Sequence, residues 1–222
     1  VRYASAMQGK IGHAAMEFSA KRFASYTGIT ATDLDDLQQG KNGHGTFPNW
    51  GLRNFYVERV NGKDSMMTNQ HPALQKQTGY HKYDLIQKLM FQTGTVRQLI
   101  NLQYSQTGDV FRYDRLTETN SSGKPKSAEW YYGPARRLLA AWTAFLGPHR
   151  WFKEGNITAS FQGIEESRHN RNFNSAKRNH RTERVRVYAI NADFRQPLKK
   201  GMLSYGAEGV YNQVKSSAYY EQ

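Results

Sequence analysis

An all-β fold, antiparallel and suited to a membrane, is predicted by three observations. Period-two alternation of apolar and polar residues recurs over runs of about 10 residues, the length a tilted strand needs to cross a bilayer. The runs come in pairs joined by tight turns, and long polar loops separate the pairs. Short connections therefore fall at one end of the strands and long ones at the other. Aromatic residues reach 13%, with 14 Tyr and 11 Phe against 6 Pro, and Tyr and Phe suit pleated, half-buried surfaces.

The first pair spans residues 11–20 and 23–32, joined at Lys21-Arg22. Gly12, Ala14, Met16, Phe18 and Ala20 form one face of its first strand, and His13, Glu17 and Ser19 populate the other. A polar stretch over 35–77 follows, in which 55–67 reads as an extra hairpin around Asn61-Gly62. The second pair spans 80–91 and 96–104 around the turn at 92–95. Lys82, Asp84 and Lys88 share a face with Ile86 and Met90, and such charges are cheap on a hydrated luminal wall. Val96, Ile100, Leu102 and Tyr104 oppose Arg97, Asn101, Gln103 and Ser105, with Gln98 and Leu99 breaking their rows. A second long loop runs from 107 to about 133.

The third pair spans 137–146 and 156–164 around Gly147-Pro148-His149-Arg150. Leu138, Ala140, Trp142, Ala144 and Leu146 make an apolar row; Asn156, Thr158, Ser160 and Gln162 make a polar one against Ile157, Ala159 and Phe161. A third long loop is expected over 165–182. The fourth pair spans 184–194 and 202–211, joined by 196–201, with polar residues from there to the end. Ser204, Glu208 and Asn212 oppose Leu203, Tyr205, Ala207 and Tyr211. The strands beginning at Phe23 and Arg184 alternate poorly.

Composition narrows the class. The 222 residues are only 38% hydrophobic, with a mean hydropathy of −0.81, so a conventional core would be thin. No run of about 18 apolar residues exists to form a transmembrane helix, which leaves strands as the way across a membrane. Zero cysteines exclude a disulfide framework and thiolate chemistry. The balance of 31 Lys and Arg against 18 Asp and Glu gives +13 and points to anionic surroundings: nucleic acid, acidic ligands or phosphate-rich headgroups. The opening residues VRYASAMQGK lack the apolar stretch of a signal peptide and read as the middle of a longer chain.

Alternating strands also describe soluble sheets. The short-turn, long-loop asymmetry favours an outer-membrane barrel, with Phe18, Tyr104, Trp142, Phe161, Tyr205 and Tyr211 placed for interfacial girdles. Tyr83-Asp84-Leu85-Ile86-Gln87-Lys88, DVFRYDRLT (109–117), AEWYYGPARRLL (128–139), IEESRHNRN (164–172), VYAINADF and LSYGAEGVYN together resemble the barrel region of TonB-dependent outer-membrane receptors. The resemblance covers most of the chain from about Arg2 onward. No TonB box, plug domain or C-terminal strand ending in an aromatic residue is among these residues, which finish Tyr220-Glu221-Gln222. The expectation is therefore an interior piece, residues 1–222, of a receptor's barrel domain, standing alone as an open curved sheet of about eight strands.

The resemblance implies a parent barrel of about 22 strands filled by a plug. It implies active uptake of a scarce nutrient, most specifically an iron complex such as a ferric siderophore or haem. The implied partners are that ligand, the plug domain of the same chain, the TonB complex through the N-terminal region, and outer-membrane lipid with its lipopolysaccharide. No nucleic acid and no cofactor is expected. A passive porin-type barrel is a weaker option. The alternative from a different class is a soluble, basic, β-rich module that binds RNA or another polyanion through residues 168–186, with strong salt dependence.

Candidate ligand-binding residues lie in the long loops. Arg112, Tyr113, Arg115, Trp130 and Tyr131 belong to the second, where exposed aromatics and arginines are common binding equipment. Arg168, His169, Arg171 and His180 belong to the third, whose basic character would attract an anionic complex. His44, near Trp50, is a weaker candidate. Neither the histidine spacing nor the carboxylates form a recognisable metal site, and no nucleophile elbow, Walker loop or HExxH occurs, so no enzyme activity is expected.

Overall fold

The computed structural model describes residues 1–40 and 45–221. His44 lies outside the described residues. The strands are β1 (Arg2–Ala4), β2 (Gly9–Ala20), β3 (Phe23–Leu34), β4 (Leu37–Gln38), β5 (Phe55–Val60), β6 (Lys63–Thr68), β7 (Leu74–Gln75), β8 (Tyr80–Thr93), β9 (Val96–Thr107) and β10 (Val110–Phe111). The short helix α1 (Tyr113–Leu116) precedes β11 (Ser127–Tyr132), β12 (Ala135–Leu146), β13 (Glu154–Asn172), β14 (Arg178–Leu198) and β15 (Gly201–Glu221).

Eight long strands pair antiparallel in the order β2-β3-β8-β9-β12-β13-β14-β15, each with its neighbour in sequence among the long strands. This is an all-β meander. Its path is open, because among the described residues β15 pairs only with β14 and β1 only with β2. Tight turns at Lys21-Arg22, Gly94-Thr95 and Lys199-Lys200, together with the loop 147–153, close one end. At the other end, 35–79 and 108–134 form the long excursions. The extra hairpin forms as β5 and β6, and Asn61 at φ 50° with Gly62 at φ 77° supply the two left-handed residues that a two-residue hairpin turn needs.

Pairing fixes the faces, because directly paired residues share one. Starting from Trp142, the partners run Ile100 and Leu89 in one direction, and Ala159, Ile190 and Gly209 in the other. Applied to every row, this gives one largely apolar face, interrupted on β3 and β8 by Ser25, Thr27 and Gln87, which hydrogen-bond to one another at 2.6 and 3.0 Å. It carries Met16 and Phe18 on β2, Ile29 on β3, Leu85 on β8, Leu102 and Tyr104 on β9, Leu138 on β12, Phe161 on β13, Tyr188 on β14, and Leu203, Tyr205 and Tyr211 on β15. Most of these side chains are exposed, Met16 at 71% and Ile190 at 57%. Tyr26, Lys88, Asn101, Thr158, Ser160, Asn191 and Glu208 lie on the opposite, polar face. Lys82 and Asp84, 2.9 Å apart, belong to that polar face as well.

Three expectations are corrected, the first being that Trp130 and Tyr131 lie in strand β11, paired with β13, and not in a loop. Residues 165–182 are not a long loop: β13 and β14 stay in unbroken register from Glu154↔Arg195 to Arg171↔Arg178, leaving a turn of only 173–177. Arg168, His169, Arg171 and His180 are therefore strand residues. The last strand also does not stop near Tyr211; β15 continues to Glu221 in register with Arg178. The physical reason is the same in the last two places. Polar side chains on both faces hide a strand from hydropathy, while backbone pairing needs no apolar residue.

Candidate functional site

Where β13, β14 and β15 run past the rest of the sheet they form a three-stranded extension, and β11 joins it on the β13 side. The chain 127–146 is nearly one strand, interrupted at Gly133-Pro134, where Gly133 holds φ 116° and its N–H donates to Ser167 O at 2.9 Å. The extension has two faces with different chemistry.

The face continuous with the apolar rows is covered by the protein's own loops. One row across it reads Tyr131, His169, His180, Tyr219, with successive ring centroids 4.7–4.8 Å apart. The two histidines meet Nδ1 to Nδ1 at 2.6 Å, so one donates to the other. Burial, then the neighbouring His180, pushes the His169 imidazole below its ordinary value. The next row reads Glu129, Arg171, Arg178, Glu221. Glu129 accepts from Arg171 at 2.8 Å and from Arg178 at 2.7 and 3.0 Å. Burial opposes ionisation of Glu129, yet these arginines hold its carboxyl below the usual range.

The β5–β6 hairpin docks here through Asp64. Its carboxylate takes a fork from Arg171 at 2.6 and 3.0 Å and the backbone N–H of Asn174 at 2.7 Å. The Asp64 side chain is fully buried and that of Arg171 is 4% exposed. The stem of the same excursion is held by Arg53, which donates to Gln77 at 3.0 Å and which burial lowers to about 10. A cavity of about 330 Å³ lies between hairpin and strands, lined by Val57, Arg59, Asp109, Phe111, Tyr131 and both paired arginines. Its cations face Asp64, Glu129 and Asp109, so the cluster is internally compensated and acts as a lock between loop and sheet.

The opposite face, continuous with the polar rows, is open. Trp130 and Tyr132 stand on it, paired with Asn170 and Arg168. Arg112 lies over both rings, at 5.3 and 5.5 Å, and Arg168 lies 6.0 Å from the Trp130 centroid. Arg112 is fixed by both oxygens of Asp114, at 2.7 and 2.6 Å. Arg168 pairs across the ladder with Arg181, and neither has a carboxylate partner among the described residues. The face therefore offers flat π surface beside two guanidinium groups outside any direct ion pair, with Glu166 and Glu183 in the next row of the same face; guanidinium and ring together suit planar anions.

The predicted residues thus divide. Arg112, Trp130 and Arg168 converge on the open face. Tyr131, His169, Arg171 and His180 lie on the covered face and hold the loop. Tyr113 packs in α1, its hydroxyl donating to Leu52 O at 3.4 Å, and Arg115 pairs with Glu118 at 2.9 Å, away from both. Glu129 and Asp64 were not among the predicted residues, whereas Arg178 and Arg181 fell within the basic segment 168–186 and Tyr132 beside Trp130 and Tyr131. Strict alternation would have separated Trp130 and Tyr132 from Tyr131. Among the described residues no cluster of three or more His, Cys, Asp or Glu is suited to a metal ion. No protein-family model, no curated protein and no solved structure matches this chain.

Proposed function

We propose that the chain is part of the barrel of a TonB-dependent outer-membrane receptor that takes up a scarce nutrient, an iron complex such as a ferric siderophore or haem. One observation carries the membrane half of this reading: a largely apolar face reaching across eight strands stands bare, with a polar face behind it. In water such a surface is an aggregation site, far larger than the few hundred Å² that monomers commonly expose. In a bilayer it is the lipid-facing wall, and the polar face becomes the lumen.

The receptor half rests on the sequence resemblance and on the open face of the extension. That face lies on the luminal side of the wall, beyond its long-loop end, where an arriving ligand is met. Arg168 and Arg181 supply charge for a ferric complex or for haem propionates, and Trp130 and Tyr132 supply ring surface. Passage belongs to the whole receptor, with the plug of the same chain inside the wall and the TonB complex supplying energy. The reading gives the chain no catalytic step. Lipid and lipopolysaccharide complete its surroundings.

Fractionation of the parent protein in its native cell tests the reading. Recovery in the outer membrane as a heat-modifiable barrel, with growth on haem or a ferric siderophore lost on deletion, is the expected result. Recovery in the soluble fraction overturns it and directs attention to salt-dependent RNA binding.

A further inference from the structure

The hairpin of β13 and β14 sets like residues opposite each other, and its two faces treat the consequence differently. On the covered face Arg171 stands opposite Arg178, and the chain neutralises the pair itself: Glu129 accepts from Arg171 at 2.8 Å and from Arg178 at 2.7 and 3.0 Å. On the open face two successive rows carry the same kind of conflict. Arg168 stands opposite Arg181, and in the next row Glu166 stands opposite Glu183. Like charges directly opposite on a ladder have Cβ atoms about 5 Å apart and destabilise it.

The chain relieves only one of these four groups, since Arg137 donates to Glu166 at 2.8 Å. Arg168, Arg181 and Glu183 have no ion-pair partner among the described residues, although the two rows are only about 7 Å apart. β15 brings Ala218 alongside Arg181 and Ser216 alongside Glu183, and neither carries charge. β11 brings Tyr132 beside Arg168. A sequence shaped for stability alone would set opposite signs across the ladder. A conflict kept on an open face, and removed on the covered one, marks a surface complementary to something else.

The complement of this pattern is a ligand with a carboxylate and an ammonium group about 7 Å apart. Its carboxylate repeats, between Arg168 and Arg181, the bridge that Glu129 makes between Arg171 and Arg178. Its ammonium stands at Glu183, whose neighbour Glu166 is already engaged by Arg137. One row nearer the tip, Asn170 and Asn179 lie opposite each other beside Trp130, and their carboxamides make no side-chain hydrogen bond among the described residues. Such carboxamides match the amide links of an amino-acid-derived chain. We propose that the open face is a binding site for the ferric complex of a zwitterionic, amino-acid-derived chelator, with Glu183 as the residue that selects its ammonium group. The site rests on the receptor reading above and narrows its ligand: haem carries carboxylates and no ammonium, and so satisfies the arginine row alone.

The probe is the ferric complex of a linear tripeptide of Nδ-acetyl-Nδ-hydroxyornithine, in which the hydroxamates neutralise the iron and the free termini supply one ammonium and one carboxylate. Its N-acetylated form, which keeps only the carboxylate, is the control. Binding of both to de-energised whole cells is compared for the parent protein and its Glu183→Gln variant, which leaves the contact between Arg137 and Glu166 in place. The wild type is expected to bind the free-ammonium probe at least about tenfold more tightly than the N-acetylated one, the value of one charge-assisted hydrogen bond, and E183Q to bind the two alike. Equal affinity of the wild type for both probes overturns the site, as does an E183Q variant that keeps the preference. Wild-type cells that hold the parent in the outer membrane and bind neither probe also overturn it. A parent absent from the outer membrane overturns the receptor reading instead, and fractionation distinguishes the two failures.

Discussion

Replacing Ile190 by arginine puts opposite demands on a lipid-facing wall and on a water-facing sheet. Ile190 is 57% exposed and sits in the apolar row with Trp142, Ala159 and Gly209. Four residues separate it from Arg186, next to the basic row of Arg136, Arg184 and Lys215, and four more from Phe194 near the short turns. At about 3.3 Å per residue each step is about 13 Å along the strand, or about 10 Å of depth at a tilt of about 40°. Ile190 therefore lies near the midplane of a band about 20 Å high, where an arginine costs about 2–4 kcal/mol. On a soluble sheet the same change stays within about 0.5 kcal/mol. The neighbouring Asn191→Arg is the internal control, since Asn191 lies on the polar face between Thr158 and Glu208. Urea titration of the parent refolded into phosphatidylcholine vesicles reads the difference. I190R within about 0.5 kcal/mol of wild type, or N191R costing more than I190R, refutes the assignment of faces.

Three further outcomes follow from the extension. Asp64→Asn removes the hairpin's anchor and leaves Arg171 buried with one carboxylate fewer, a loss of about 3–5 kcal/mol in loop closure. Limited proteolysis should then cut within 55–68 while the long-stranded sheet stays intact, and unchanged protection refutes the lock. Acid should open the same contact in two stages. His169 is held below the ordinary imidazole value of 6.5, so the open form binds a proton that the closed form excludes; closure is complete above pH 6.5 and weakens as pH falls towards the depressed value. Asp64 and Glu129, held below 3.8 and 4.5, keep their contribution until lower pH still. Hydrogen exchange at 167–172 should show the first stage in the wild type and not in His169→Gln; a flat profile between pH 7 and 5 refutes it. On the open face, R168Q/R181Q should weaken capture of an anionic ferric complex by about tenfold or more and flatten its salt dependence, measured as binding to whole cells.

The strand pairs were legible because one face of each is apolar. Leu138 to Leu146 and Asn156 to Gln162 alternate with period two, and both became strands, paired with one another. The extension was not legible that way, since what its covered face buries is charged: Arg171 is 3% exposed, His180 8% and His169 9%. Hydropathy reads desolvation of carbon, and here ion pairs and stacked rings do the covering. A different signal was present. Arg168-His169-Asn170-Arg171 and Arg178-Asn179-His180-Arg181 are mirror images about the turn, so each residue pairs with its own kind. Such a mirror marks a hairpin without reference to polarity. Like pairs also explain the acid residue between them, because Arg171 beside Arg178 requires the Glu129 carboxylate that β11 supplies. The division of the candidate residues between two faces had the same origin: a loop has no faces, whereas a strand assigns Trp130 and Tyr131 to opposite sides.

The pattern of covering along this one face argues for the membrane more strongly than the exposed residues do singly. The register of β13 with β14 is unbroken, so Phe161, Glu165, His169 and Arg171 stand on the same side of one strand. From Arg171 to Ser167 the chain invests a long excursion, a buried ion pair and a ring stack in shielding that side. At Glu165 the shielding stops and charged residues face outward, and from Gly163 to Ile157 large apolar neighbours such as Trp142 and Tyr188 are left uncovered. A sequence folding only in water would have the strongest reason to cover the apolar segment and the weakest to cover the polar one. The reversal makes sense when the two segments have different solvents, water around the extension and hydrocarbon around the rows below it. The basic row at Arg136, Arg184 and Lys215 then marks the level at which one solvent gives way to the other.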